Sequence, residues 1–227
     1  MKVTLIAPTF NEIETIPHTL PALRHVGVDE IIVVDNNSHD GTIEWCQSHG
    51  FTVFIQKASG YGNGIREVVE RSSGDIIIEF PPDGSSLAEK IPAVIEKISQ
   101  GFDLVIASRY RDGAKSDDDD VITALGNWGF TKLTNLLFGT SYTDVLVGFR
   151  GYRKDSYGKL GLDEPGLAWV LQSSIRFATS GYKVGEIGAD EPKRIGGKRK
   201  MRPFKTGLAL LKVMQREFSR KLLSTRF

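Results

Sequence analysis

The chain of 227 residues is poor in cysteine and contains no long apolar run. Its one cysteine, Cys46, excludes an intrachain disulfide and a thiol-ligated zinc site, and it fits a reducing compartment. No apolar run approaches the roughly 18 residues that a membrane-spanning helix needs, and Met1 leads directly into a strand pattern, which predicts no signal peptide. We therefore expect a cytoplasmic protein that is either soluble or peripheral on the cytoplasmic face of a membrane.

Histidine is scarce too: the chain has four, three of them before residue 40, and no Ser-His-Asp set stands out. The glycine-rich segment 60–64, Gly-Tyr-Gly-Asn-Gly, lacks the Lys-Ser/Thr pair of a P-loop and the strand-proximal spacing of the dinucleotide fingerprint. These absences argue against a serine hydrolase, and they leave segment 60–64 as only a weak indication of phosphate binding.

Charge is balanced overall, with 29 basic and 28 acidic residues, but it is unevenly placed. Residues 193–227 contain twelve Lys or Arg and a single acid, Glu217. Such a tail predicts contact with something anionic, namely a membrane surface, a nucleic acid or a phosphate. We expect no nucleic-acid role, because the tail has few aromatic residues for stacking and no recognisable binding module.

Strand and helix patterns alternate over about the first 105 residues, which is typical of an α/β fold with a mostly parallel sheet and helices on both faces. Beyond Arg109 the alternation breaks at a polar loop, 111–120. The later predictions are a helix over 122–138, a strand or extended chain over 142–152, a helix over 167–180, a strand over 182–187 and a helix over 206–224. We expect one domain over residues 1–205 and a C-terminal basic amphipathic helix within 206–227.

The predicted last helix carries two stripes. The apolar stripe consists of Leu211, Met214, Phe218 and Leu222, and the basic stripe of Lys212, Arg216 and Arg220. A helix of this kind suits an anionic membrane surface. The alternative is a helix that packs on the domain with its basic side in water, and the pattern leaves both interpretations open.

Three consecutive isoleucines, 76–78, predict a buried strand that ends at Pro81-Pro82, since proline lacks the donor that continues strand pairing. Asp83 then lies at the carboxyl edge of the sheet, where open α/β sheets bind ligands. One interpretation is a ligand for a hard divalent cation that holds a diphosphate. The other is a turn carboxylate that caps the helix starting near Leu87.

Two further strand ends place polar groups at the same edge, over residues 8–12 and 35–38. Glu12 and Asp35 could accept hydrogen bonds from a nucleobase or a ribose, as acids at such positions do in nucleotide-binding folds.

Six motifs follow one another from residue 6 to about residue 207. Residues 8–12 match P-T-[YF]-N-E, 32–42 match V-V-D-[DN]-x-S-x-D-G-T, and 107–110 match G-S-R-Y. Residues 60–64 resemble G-x-G-x-[AG], 144–150 resemble D-x-x-S-G-F-R, and 194–200 resemble a closing basic segment. With these motifs the chain resembles family 2 glycosyltransferases of the Rossmann-like GT-A fold, close to the dolichyl- and polyprenyl-phosphate sugar transferases.

The resemblance implies an inverting transfer of a hexose from a UDP- or GDP-sugar to a polyprenyl phosphate, with Asp83 as the ligand of Mg²⁺ or Mn²⁺. The implied catalytic residues are Asp83, Arg109, Asp144 and Arg150. The implied nucleotide-sugar-binding residues are Pro8, Thr9, Asn11, Glu12, Asp35, Asn37, Gly60, Gly64, Pro82, Asp83, Lys198, Lys200 and Arg202. Residues 193–227 would contact an anionic membrane peripherally. Two alternatives remain: the same transfer onto a soluble or polysaccharide acceptor, and a non-catalytic protein that binds nucleotide-sugars.

The chain departs from the family pattern at several positions. The metal motif D-x-D has Pro81 at its first acidic position, Ser85 stands where metal-binding relatives often carry Gln, and Gln172 stands where Glu is frequent. The C-terminal transmembrane helices of many relatives are also absent, and the basic helix 206–224 would be a peripheral substitute. These departures bear on metal affinity and on the choice of sugar.

Overall fold

The structure is a computed structural model that describes residues 1–196 and 201–224. These residues form one seven-stranded sheet with surrounding helices. The strands are β1 (Val3–Thr9), β2 (Glu30–Asp35), β3 (Thr52–Ile55), β4 (Ile76–Glu79), β5 (Leu104–Ser108), β6 (Arg150–Arg153) and β7 (Val184–Gly188). Their order across the sheet is β3-β2-β1-β4-β6-β5-β7, and neighbours are parallel except where β6 pairs with β4 and β5. The predicted mostly parallel sheet is confirmed.

Helices surround this sheet. They are α1 (Ile16–Thr19), α2 (Thr42–Ser48), α3 (Tyr61–Arg71), α4 (Ile91–Ser99), α5 (Val121–Phe138), α6 (Lys154–Gly158), α7 (Trp169–Thr179) and α8 (Pro203–Ser224), with 3₁₀ turns at Leu20–His25 and Ala88–Lys90. Strands β1, β4 and β5 are buried at nearly every position, as strands are when both faces of a sheet are covered. Within the described ranges, no helix is long and apolar enough to cross a bilayer.

Strand β4 ends abruptly at the edge where its parallel neighbour β1 also ends. Its three isoleucines are fully buried, and Pro81 and Pro82 follow the strand after one intervening residue, Phe80. The hydroxyl of Thr19 donates to the carbonyl oxygen of Pro82 at 2.8 Å, which ties the loop to the end of α1. Asp83 is thereby held just beyond the end of the strand.

The segment before β6 is irregular. Of the strand or extended chain predicted over 142–152, only the last part, from Arg150, forms a strand. The backbone N–H groups of Thr143 and Asp144 donate to the buried side chain of Glu186 on β7, at 2.9 and 3.1 Å. Because a carboxylate takes these donors, no neighbouring strand pairs with them. An apolar sequence therefore forms a buried loop here, and only its end joins the sheet, antiparallel to both neighbours.

Helix α8 packs on α7 and α5 with a face that is rotated from the predicted apolar stripe and shares only Met214 and Phe218 with it. The buried residues of its described part are Leu210, Val213, Met214 and Glu217, whereas Leu211 and Leu222 are about half exposed. Glu217 explains the rotation, because its carboxylate pairs with the guanidinium of Arg176 at 2.8 Å inside the α7–α8 contact. The interpretation of a helix packed on the domain is confirmed for one face, and apolar side chains remain on the other.

Glu79, the last residue of β4, is a carboxyl group with no solvent exposure. The hydroxyl of Tyr61 donates to Oε2 at 2.9 Å, while Oε1 accepts no hydrogen bond from the described residues. Burial raises the pKa of Glu79 from an ordinary 4.5 to about 7, and nearby Arg150 and Tyr61 oppose this increase only in part. Glu79 therefore keeps its proton at pH values where the unfolded chain has lost it.

Replacing Glu79 by glutamine should make stability less dependent on pH. Between pH 4.5 and about 7 the folded chain binds more protons than the unfolded chain, so stability falls across this window as pH rises, by up to about 3 kcal/mol. Glutamine keeps an acceptor for Tyr61 and carries no charge. We expect denaturant titrations at pH 5 and pH 8 to show a smaller decrease for Glu79→Gln than for wild type and for exposed Glu89→Gln. Equal decreases in all three proteins would contradict the raised pKa.

Removing the carboxylate of Glu217 should destabilise the fold strongly. In Glu217→Ala the guanidinium of Arg176 stays buried without this partner, a change that typically costs about 3–5 kcal/mol. The exposed pair of Asp155 and Lys159 is the matched control, because Asp155→Ala should change stability by about 1 kcal/mol at most. The free energy of unfolding from denaturant titration checks both values, and a similar loss in the two variants would count against the anchoring role of Glu217.

Candidate active site

A cavity of about 480 Å³ opens at the carboxyl edge of the sheet. On one side it is lined by residues at or just beyond the ends of β1, β2 and β4, including Pro8, Thr9, Glu12, Asn36, Pro81 and Asp83. The other side comes from α5, the segment near residue 194 and the start of α8, including Asn127, Glu191, Arg194, Pro203 and Gly207. The three strand ends predicted to converge therefore do meet at one cavity.

The two carboxylate oxygens of Asp83 make different contacts. Oδ1 accepts hydrogen bonds from the backbone N–H of Ser85 at 3.1 Å and from its hydroxyl at 2.7 Å, which is the local turn chemistry of an aspartate. Oδ2 accepts from Nη2 of Arg194 at 3.0 Å. One oxygen shapes the turn after β4, and the other carries an ion pair within the lining of the cavity.

The side chains around Asp83 supply fewer ligands for a divalent ion than a complete protein metal site would. Among residues 1–196 and 201–224, no group of three or more His, Cys, Asp or Glu side chains is placed to hold a metal ion. Mg²⁺ bound with substrate phosphates needs only one or two carboxylates, because phosphate oxygens and water complete its shell. Asp83 therefore fits as a single anchor for an ion that a diphosphate would largely hold.

Asp35, the last residue of β2, is fully buried. It accepts hydrogen bonds from the hydroxyl of Thr9 at 2.7 Å, and from the backbone N–H and hydroxyl of Ser38 at 2.7 and 2.6 Å. Asp35 thus holds the loops after β1 and β2 together behind the cavity. Of the residues predicted to bind nucleotide in these loops, Pro8, Thr9 and Glu12 line the cavity, and Asn11, Asp35 and Asn37 do not; the nucleotide-binding roles of all six stay predictions.

The glycine-rich segment 60–64 forms the start of α3 and packs against neighbouring backbone. A Cβ atom on Gly60, whose φ is 121°, would lie 2.3 Å from the carbonyl oxygen of Pro165, and one on Gly64 would lie 2.3 Å from Oε1 of Gln56. These glycines are explained by close packing, and neither lines the cavity; their predicted contact with the nucleotide-sugar stays a prediction. Tyr61, between them, does line it.

Arg109 lines the cavity, and the buried carboxylate of Asp144 binds its guanidinium. Its Nε and Nη2 donate to Asp144 at 2.6 and 3.0 Å, and its Nη1 makes longer contacts with Asp119 and Glu191, at 3.4 and 3.3 Å. Burial opposes the charge, but Asp144 and Glu191 hold the pKa of Arg109 well above its ordinary value. The guanidinium is therefore permanently charged and fixed in orientation, with Nη1 as its least tightly held end.

The other two residues predicted on the acceptor side lie behind the cavity lining. Asp144 and Arg150 are both fully buried. Arg150 donates to the carbonyl oxygens of Val147 and Val170 and to the hydroxyl of Ser173, so its described bonds fasten the buried loop to α7. The geometry favours positioning roles for this pair, and their catalytic assignment stays a prediction.

The closing basic segment is only partly described. Lys198 and Lys200 lie outside the described residues, and Arg202 is exposed next to the cavity-lining Met201 and Pro203. Arg194, in contrast, reaches the cavity and binds Asp83, a role that sequence reasoning missed. Its place in the motif over 194–200 was the available signal.

Two other lining residues were not among the predicted binding residues, although Asn36 lies within the predicted strand end 35–38. Gln56 follows β3, and its Nε2 donates at 2.7 Å to Oδ1 of Asn36, which follows β2. Both line the cavity. Carboxyl ends of parallel strands commonly carry ligand-binding groups. Applying this rule to β3 as well as to its neighbours would have identified both residues.

Comparison with known proteins gives the family. A model of glycosyl transferase family 2 matches residues 4–161. An undecaprenyl-phosphate mannosyltransferase of Micrococcus luteus is 30% identical, over 94% of this chain and 93% of its own length. A dolichyl-phosphate hexose transferase of Haloferax volcanii is 28% identical, over 92% of this chain and 90% of its own length.

Solved structures agree on the fold. A crystal structure of glucosyl-3-phosphoglycerate synthase from Mycobacterium tuberculosis, in complex with Mn²⁺, UDP and phosphoglyceric acid, matches with a TM-score of 0.77 at 18% identity, covering 96% of this chain and 78% of that one. Another structure of this synthase contains Mg²⁺ and UDP. The match supports the predicted GT-A fold. Since the family model covers most of the chain, the protein belongs to glycosyl transferase family 2 and is a glycosyltransferase.

Proposed function

We propose that this glycosyltransferase moves a hexose from a UDP- or GDP-sugar to a polyprenyl phosphate, with inversion at the anomeric carbon. The names of the relatives from Micrococcus luteus and Haloferax volcanii, which match over about nine tenths of the chain, support a lipid-phosphate acceptor. The relatives' names do not distinguish UDP from GDP, so both donors are candidates.

One observation carries the lipid part of the proposal: an exposed apolar surface borders the cavity. We name this the α5–α8 apolar surface; its members are Val121, Ile122, Leu125 and Trp128 on α5 and Phe204, Leu208 and Leu211 on α8. Ile122 is 70% exposed and also lines the cavity, so surface and cavity are continuous. Exposed apolar surfaces of this kind mark interaction sites. A polyprenyl phosphate has the matching two parts, an anionic head and a hydrocarbon chain.

On the donor side, the residues at the ends of β1 and β2 would hold the base and ribose, and Asp83 would hold a divalent ion at the diphosphate. That ion, when bound, would stabilise the negative charge that develops on the leaving nucleotide. Glu12 and Asn36 supply the polar groups that face the cavity at these strand ends. They would orient the nucleotide so that the anomeric carbon faces the α5 side.

On the acceptor side, Arg109 is the group suited to a lipid phosphate. Its orientation is fixed by two bonds to Asp144, and a phosphate oxygen would compete for the more loosely held Nη1. Guanidinium binds phosphate through charge-assisted hydrogen bonds. Because a lipid phosphate is already anionic, it can attack the anomeric carbon without a strong general base, and in-line attack inverts that carbon.

Membrane contact follows from the same surface. The basic residues described on α8 and just before it, Arg202, Lys205, Lys212, Arg216 and Arg220, are exposed. Cations flanking an apolar face favour an anionic bilayer surface. We propose peripheral binding to the cytoplasmic face through residues 193–227 together with the exposed face of α5, with the cavity opening toward the acceptor's head group.

A donor and acceptor screen tests the reaction. Radiolabelled UDP- and GDP-hexoses would be incubated with undecaprenyl or dolichyl phosphate, and lipid extracts counted. We expect one donor to label the lipid, with Asp83→Ala lowering turnover about 100-fold or more because charge on the leaving nucleotide loses its stabilisation. Exposed Asp112→Ala is the matched control. Label found only in soluble or polysaccharide products would refute the lipid acceptor, and full activity of Asp83→Ala would refute the role of Asp83.

Flotation with vesicles of phosphatidylglycerol and phosphatidylcholine tests the membrane surface. Exchanging two exposed leucines, in Leu125→Glu with Leu208→Glu, should lower vesicle binding about tenfold or more, because each buried leucine contributes roughly 1.5–3 kcal/mol. Gln47→Glu, on exposed α2, adds a charge elsewhere and should float like wild type. Wild type that stays with the soluble fraction would argue against peripheral binding.

A further inference from the structure

Arg194 is fixed over Asp83 by both side chain and main chain. Its Nη2 lies 3.0 Å from Oδ2 of Asp83, and the backbone N–H of Ile195 donates to the carbonyl oxygen of Asp83 at 3.3 Å. Gly84 makes this approach feasible: its φ is 82°, and a Cβ atom there would lie 2.6 Å from Cγ1 of Ile195. The segment carrying Arg194 is thus seated directly on the loop that presents the predicted metal ligand.

The guanidinium of Arg194 also has binding capacity left over. Asp118 lies 3.6 Å from its Nε, beyond hydrogen-bond distance, and this buried Nε donates to no acceptor among the described residues. The side chain is about one fifth exposed, and Asp83, Asp118 and Arg194 all line the cavity. A charged side chain that lines the cavity, is partly exposed and is oriented by two carboxylates is suited to a further anionic partner.

The position predicted to hold a divalent ion already carries a positive side chain. Pro81 removes one carboxylate from the D-x-D pattern, and Arg194 supplies one positive charge to the carboxylate that remains. The chain therefore carries a resident cation at the place where a two-acid site would gather a metal.

From this geometry we infer that Arg194 is a donor-binding residue: its guanidinium binds the diphosphate of the nucleotide, so that a nucleoside diphosphate binds this protein without a divalent ion. The inference rests on the proposed function, and it changes the role of the metal from a requirement to an addition. Before the donor arrives, Asp83 keeps the guanidinium in place. When the diphosphate enters, it takes over donors of Arg194, and Asp83 becomes available to a metal ion.

Isothermal titration calorimetry of UDP and of GDP, each in EDTA and in Mn²⁺, tests this on the full chain. For the nucleotide that binds, we expect the dissociation constants of wild type in the two conditions to lie within about fivefold, because the charge-assisted bonds of Arg194 are present in both. Arg194→Gln should weaken binding in EDTA about tenfold or more, since bonds to charged groups contribute that much, and Mn²⁺ should restore most of the loss. Arg194→Lys, which keeps the charge and loses the planar fork, should lie between the two.

A variant that restores the second acid of the metal motif tests the inference in the opposite direction. Pro81→Asp restores the second acid, which should weaken nucleotide binding in EDTA by repulsion and increase the enhancement by Mn²⁺ about tenfold or more. Exposed Arg71→Gln controls for loss of a positive charge elsewhere, and thermal melts confirm that each variant is folded. If Pro81→Asp does not fold, the two Arg194 variants still decide the question.

The outcomes separate the two proposals. Binding of neither UDP nor GDP in either condition would overturn the proposed function itself. Wild-type binding that appears only with Mn²⁺ would overturn the role of Arg194 and leave the glycosyl transfer standing. Binding in EDTA that is equal in wild type and Arg194→Gln would also overturn it. The expected pattern, metal-free binding that depends on Arg194, would support both.

Discussion

The part of the cavity formed by the loops after β1 and β2 depends on the buried carboxylate of Asp35, which accepts hydrogen bonds where strand pairing stops. Asp35 closes β2 and accepts three hydrogen bonds from Thr9 and Ser38. Loops after parallel strands carry backbone donors that need partners once the ladder ends, and a buried carboxylate meets that need well. Asn11 and Asn37, both with positive φ, let the two loops turn sharply beside it. This arrangement fixes the shape of the cavity beside the ends of β1 and β2.

Around that scaffold, two arginines that line the cavity are each paired with carboxylates. Arg109 lies among Asp144, Asp119 and Glu191, and Arg194 lies beside Asp83. Burying a guanidinium without such partners is costly, so each pair keeps its guanidinium charged and in place. An anionic ligand would compete with these carboxylates for each guanidinium. Under the proposed function, the diphosphate of the sugar donor and the phosphate of the lipid can do so, whereas a neutral sugar cannot.

Local pattern was sufficient to predict the main elements. The isoleucines before Pro81 specify a buried strand with an abrupt end, and this end sets the position of Asp83. The irregular segment before β6 could not be predicted, because its N–H groups are taken by Glu186, which lies about forty residues later in the chain. The facing of α8 was missed for a similar reason: Glu217 reads as a solvent-exposed acid, yet it pairs with Arg176 across two helices.

The same limit applies to the site. Strand ends could be located from the sequence, and so could their convergence, since parallel strands end at one edge. The pairing of Asp83 with Arg194 could not, because 111 positions separate the two residues and no local periodicity links them. Likewise, Asp144 and Arg150 read as catalytic from their motif, whereas burial places them behind the residues that face the cavity.

The short distance along the chain between Arg194 and α8 has a consequence for how the two substrates are coordinated. Eight residues separate Arg194 from Pro203, where the helix that carries part of the α5–α8 apolar surface begins. Under the two proposals, the residue that binds the nucleotide diphosphate and the helix that contacts the bilayer are therefore close neighbours along the chain. The covalent chain limits how far either one can be displaced while the other stays bound.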